Sequence, residues 1–155
     1  MFGFTSLLFI IVNMAVSAQD NNKQEKNMVI TGDFEVQLSP QMEDEVDAGR
    51  MVISKIYRGG LDGSGKGQML SKRTETEGSA GYVAIEEFRG SLEGKKGSFT
   101  LLHRGLMNRG TPSSEVVVVP DSGTGELKGI SGTMKIIISE GKHSYKFEYT
   151  LSSEK

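Results

Sequence analysis

The chain has 155 residues, with 20 glycines, three prolines, no cysteine, no tryptophan and a formal net charge of −2. Average globular chains carry roughly 7% glycine. The glycine excess, with 25% charged and 36% apolar residues, excludes a coiled coil and argues against disorder by charge excess or a broad basic face for nucleic acid. Without cysteine there are no disulfides, thiolate nucleophiles or cysteine-ligated metal centres, so one soluble domain has to stand on its apolar core.

The chain opens on Phe4 to Val16, an uncharged and nearly all-apolar stretch running into Val16-Ser17-Ala18. This predicts a secretory signal over 1–18, cleaved after Ala18, and hence an exported, periplasmic or secreted protein. Two other readings stay open. Phe2 to Ala18 sits at the short limit of the roughly 17–25 residues that a spanning helix needs. Translation starting at Met28 would leave the protein cytoplasmic. Residues 19–27, ending in the polar run Asp20 to Asn27, predict a disordered tether, and the domain proper is expected over 28–152.

From Met28 the apolar period is two. Met28, Ile30, Phe34, Val36 and Leu38 share one face of a first strand, with Gly32 in phase. Similar runs follow at about Arg50–Gly60, Lys66–Thr76, Gly81–Leu92, Ser98–Met107, Glu115–Val119, Thr133–Ser139 and His143–Leu151, which predicts eight strands; the acidic stretch Gln41–Ala48 reads as a loop or one helical turn. A G-x-L-x-G motif recurs at Gly59–Gly63, Gly90–Gly94 and Gly125–Gly129, with trailing glycines at 67, 97 and 132, and is expected at strand ends leading into turns of a small closed barrel. Gly60–Lys66 resembles the start of a Walker A loop, but Gly67 stands at the Ser/Thr position and a strand follows instead of a helix.

Face chemistry sets two hairpin registers. A turn at Gly94–Gly97 would pair Leu92 with Phe99, Phe88 with His103 and Glu87 with Arg104. A turn at Glu140-Gly141 pairs Ile138 with His143, Ile136 with Tyr145 and Met134 with Phe147. The outward faces carry Glu87, Arg104, Lys135, Lys146 and Glu148, which is wrong for an outer-membrane barrel.

Glu86 and His103 fall on the apolar face, diagonal to one another, where a carboxylate and an imidazole need a partner or a wet cavity. They are candidates either for orienting a ligand or moving a proton, or for a satisfied pair that closes the core. Tyr82, Phe88, Tyr145 and Tyr149 share the inner face and complete the candidate ligand-binding set. His143 lies at the rim, and with Glu86 and His103 it would make a two-histidine, one-carboxylate metal set, but no local ligand spacing supports it. Neither a metal nor a cofactor is expected.

The runs Gly81–Leu92, Gly97–Gly105 and Val118–Leu127 together resemble a bacterial family of uncharacterised proteins, domain of unknown function 3224, with the similarity extending from Ile30 to about Leu151. The resemblance implies an all-β fold: a single closed antiparallel barrel of about eight strands, like that of allene oxide cyclase. Glu86, His103 and Ser122–Gly125 match the family pattern, but no catalytic residue carries over, because fold does not determine activity. Two functions are expected: binding of a small, mostly apolar ligand inside the barrel, or an isomerase or cyclase acting on an apolar, epoxide-like substrate.

Overall fold

A computed structural model describes residues 26–41 and 48–152. The expected signal and most of the tether and acidic stretch lie outside these residues. Eight strands, β1 (Met28–Gln41), β2 (Gly49–Gly59), β3 (Leu61–Arg73), β4 (Ala80–Leu92), β5 (Lys95–Asn108), β6 (Thr111–Val118), β7 (Ile130–Ser139) and β8 (Lys142–Leu151), close in sequence order into an antiparallel barrel. Closure comes from β1 pairing with β8, for example Ile30 with Phe147. Barrel formation follows from the period-two pattern: Ile30 and Phe34, Ile53 and Tyr57, Phe99 and Leu101, and Tyr145, Phe147 and Tyr149 all turn inward and are buried. No helix among the described residues is long and apolar enough to cross a membrane.

Three connections are two-residue turns ending in glycine: Glu93-Gly94, Arg109-Gly110 and Glu140-Gly141. Both residues of each have positive φ, 47° and 83° in the first pair, which is the primed turn whose twist matches that of the flanking strands. The last hairpin has the register expected from its turn. The β4–β5 hairpin does not. Its turn is Glu93-Gly94, so Phe88 faces Phe99 and Ala84 faces His103, and Glu87 lies opposite Thr100 instead of Arg104. Arg104 pairs instead with Glu115 across β6. The slip is an even number of residues, so every side chain keeps its expected face.

The three G-x-L-x-G leucines share one role but not one local structure. Leu61 opens β3, Leu92 closes β4, and Leu127 sits in a short 3-10 turn, Gly125–Leu127. All three are fully buried in the same core. This end of the barrel is also filled by neighbouring rings: Tyr57 meets Phe88 edge-on at 5.6 Å, Phe88 meets Phe99 at 5.1 Å, and Phe99, Phe147 and Tyr149 stack in succession.

The connection from β6 to β7 repairs an edge. β6 pairs with β5 only as far as Leu101, which leaves Lys96, Ser98 and Thr100 of β5 without a strand on that side. Side chains stand in for it: the Lys96 amide donates to Glu126 Oε2 at 2.8 Å, the Ser98 amide to Thr124 Oγ1 at 3.0 Å, and the Thr100 amide to Ser122 Oγ at 3.0 Å. Thr124→Val, which keeps the shape and removes the hydroxyl, should raise hydrogen exchange at the Ser98 amide by roughly tenfold, the equivalent of about 1.4 kcal/mol. An unchanged rate by NMR would mean that the loop backbone alone holds the edge.

The seam between β6 and β7 is short. Only Val116 with Met134 and Val117 with Thr133 pair across it. Beyond them, towards the Arg109-Gly110 and Glu140-Gly141 turns, β6 and β7 have no ladder in common.

Candidate functional site

Midway along the barrel, above the ring cluster, four polar side chains meet. Glu86 on β4 accepts hydrogen bonds from Lys55 Nζ at 2.7 Å on Oε2 and from the Tyr57 hydroxyl at 2.7 Å on Oε1; Lys55 also reaches the Tyr57 oxygen at 3.3 Å. His103 Nε2 lies 3.0 Å from Glu86 Oε2, an ion-pair distance, but without the direction of a hydrogen bond. Lys55 Nζ sits 4.7 Å above the Phe34 ring. The side chains of Lys55, Glu86 and His103 are 5%, 0% and 4% exposed.

Lys55 and Glu86 belong to strands separated by β3, roughly 9–10 Å apart at the backbone. They meet because the inner face of β3 carries Gly63, Gly65 and Gly67 in succession. Gly65 lies directly beside Lys55, and a Cβ there would overlap Glu86 Oε1 and press on the Tyr57 ring. The glycines thus have a use that turn formation does not explain: they clear a channel over which an acid and a base reach each other.

Lys55 and Tyr57 both donate to Glu86, so the arrangement requires an ionised carboxylate. Burial pushes its carboxyl pKa up, but the His103 contact and the charge and hydrogen bond of Lys55 outweigh burial and hold it well below the usual carboxylate range. Tyr57 is shifted upwards, first by burial and then by the adjacent Glu86 charge, and keeps its proton.

The expected pair, Glu86 and His103, is brought together even though the hairpin register differs. In the observed register Glu86 faces Leu101, and His103 is its diagonal neighbour. The other candidates are spread along the barrel. Tyr82 is half-buried towards the β3–β4 end, its ring filling the space that a Cβ on Gly105 would take. Phe88 lies within the ring cluster. The Tyr145 hydroxyl accepts from the Leu61 amide at 2.7 Å, and the Tyr149 hydroxyl donates to Glu93 at 3.1 Å. His143 packs on Phe34 with ring centroids 5.4 Å apart, and no three His, Asp or Glu side chains among the described residues gather as a metal site.

Lys55 and Tyr57 were not singled out in the sequence. Both faces of β2 carry apolar residues, Ile53 and Tyr57 on one and Val52 and Ile56 on the other, so periodicity alone does not place Lys55 inside. The available signal was electrostatic: an inward Glu86 needs a cation, and Lys55 stands between Ile53 and Tyr57 on one face.

Inward positions change character on either side of this cluster. Below it they are closed. Above it, Leu38, Met107 and Ile138 stand on the inward phase yet are 46%, 39% and 67% exposed, with Met51, Met69 and Tyr82 half-buried between them and the cluster. A separate groove of about 890 Å³ lies on the outer wall, bordered by Leu70, Val83, Leu106 and the Arg104–Glu115 pair.

Residues 30–149 match the family described as Protein of unknown function (DUF3224). Among solved structures, the chain is similar to the crystal structure of a protein with unknown function from the DUF3224 family of Shewanella oneidensis MR-1. The two are 41% identical with a TM-score of 0.80, over 83% of this chain and 100% of that one. No curated protein matches the chain.

Proposed function

The chain belongs to the DUF3224 family, and on that premise we propose that the barrel is a binding protein for a small, mostly apolar ligand. The ligand enters at the open end and directs one polar group towards Lys55, Glu86 and His103. The observation that carries this reading is the exposed apolar inner wall of Leu38, Met107 and Ile138, where a barrel packed throughout would bury its inward residues. His103 supports it as well, since its buried Nε2, 3.0 Å from Glu86, makes no directed hydrogen bond, and a ligand atom would supply one.

Phe88, Tyr145 and Tyr149 then serve as the floor beneath the ligand and do not touch it. The cyclase or isomerase alternative would ask Glu86 to take up a proton. Two buried neighbours hold its proton affinity far below neutral pH, which makes it a poor general base.

Native mass spectrometry after incubation with a lipid extract, paired with fluorescence of a hydrophobic dye, tests the proposal. A one-to-one adduct is expected. Met69→Lys, in the inner wall beside Ala84 and across β4 from His103, should weaken it by roughly tenfold or more through burial of an unpaired charge. Leu106→Lys, on the outer groove, should leave it unchanged. No adduct, or one that is lost only in the Leu106 variant, sinks the interior site.

A further inference from the structure

We propose that β7 is the contact between two copies of this chain, pairing antiparallel with its own counterpart about a two-fold axis at Ile137. β7 continues through Lys135–Ser139 beyond its last partner on β6, and Ile137 and Ile138 on this stretch are 42% and 67% exposed. An apolar strand with an open backbone edge is a template for further pairing. The contrast with β5 sharpens the point, because there the fold places Ser122, Thr124 and Glu126 over the bare amides.

The register follows from hydrogen-bond parity. The two-residue turn makes Ser139 and Lys142 a hydrogen-bonded pair, and the alternation carries this to Ile137 with Ser144 and Lys135 with Lys146. Ile136 and Ile138 therefore point their N–H and C=O groups away from β8, to the open side. Only one two-fold register uses both of them and avoids both the paired Met134 and the Glu140 turn. It sets Ile136 against the partner's Ile138, Ile137 against the partner's Ile137, and Lys135 against the partner's Ser139. No like charges meet, and the three central positions are isoleucine in both copies.

The natural lack of cysteine gives a clean test. In the proposed register residue 137 faces itself across a non-hydrogen-bonded pair, close enough for a disulfide. Under mild oxidation Ile137→Cys should form a covalent dimer roughly tenfold or more faster than Leu106→Cys, which is the more exposed of the two, at 66% against 42%, but lies two strands away on β5. Sedimentation of the unsubstituted protein should move from monomer to dimer with concentration, and Ile137→Lys should stay monomeric with an unchanged circular dichroism spectrum. Cross-linking no faster than at position 106, a monomer at every concentration, or a monomer carrying an unrelated protein on β7 would each overturn the proposal.

Discussion

Glu86→Ala is expected to lower the free energy of unfolding by about 3–5 kcal/mol, the cost of leaving a buried charge without its partner. Domains of this kind are stable by only about 5–15 kcal/mol, so the variant should sit near the edge of folding. The loss is large because three buried groups meet one carboxylate: Lys55 Nζ and the Tyr57 hydroxyl donate to it, and His103 Nε2 lies 3.0 Å away. All of them are buried, so losing the acceptor leaves their polar groups without the partner that offset their burial. Lys55→Met combined with Glu86→Leu should recover part of the loss, since no ammonium group is left stranded while the Tyr57 hydroxyl and His103 still lack their acceptor. Urea midpoints of the two variants check this, and a single-variant loss under about 1 kcal/mol would mean that the cluster is not coupled as the geometry indicates. Acid acts on the same group. The native pKa of Glu86 is depressed, so its contribution is complete above the unfolded value near 4.5 and is lost as pH falls through about 2.

Alkali should unfold the barrel in one step with its tyrosines. All four tyrosines, Tyr57, Tyr82, Tyr145 and Tyr149, are shifted upwards, burial being the first cause in each. Glu86 adds to the shift at Tyr57, and Glu93 adds to it at Tyr149, which is pushed up to about 12. At Tyr145 the Leu61 amide offsets part of the shift. The unfolded chain therefore loses tyrosine protons first, near pH 10. The stability these groups supply is complete below that value and drains away as pH rises towards 12 and beyond. Tyrosinate absorbance and circular dichroism should change together, above pH 10. A tyrosine that ionises near its ordinary value while the dichroism stays native would contradict the buried hydroxyls.

The comparison of sequence and structure is instructive where it separates local from distant causes. Glu140-Gly141 contains its whole turn, and the register of the last hairpin was legible from it. Between Gly94 and Gly97 the sequence offers two glycines, and what settles the choice is a primed turn at Glu93-Gly94 together with hydroxyls and a carboxylate more than twenty residues away that hold Lys96 to Thr100 in the strand. The resulting slip preserves parity, so Glu86 and His103 remain diagonal neighbours in either register. Lys55 was out of reach for a different reason. Its contact with Glu86 crosses a strand that presents only backbone at that level, and pairwise strand matching has no term for a side chain that bridges over its neighbour. Phe88, Tyr145 and Tyr149 show a third limit: an inward aromatic has the same period whether it touches a ligand or another ring.

The loop that covers β5 alters what mutation can do to this barrel. A backbone ladder is indifferent to sequence, since every residue except proline brings the same donor and acceptor. A ladder made from Ser122, Thr124 and Glu126 is written in the genetic code of three loop positions. Substitutions there would touch no core residue and leave the apolar interior whole, yet they would bare a length of strand to other chains. For this fold, protection of the strand edge is thus encoded apart from the apolar interior, and a variant could lose the first while keeping the second.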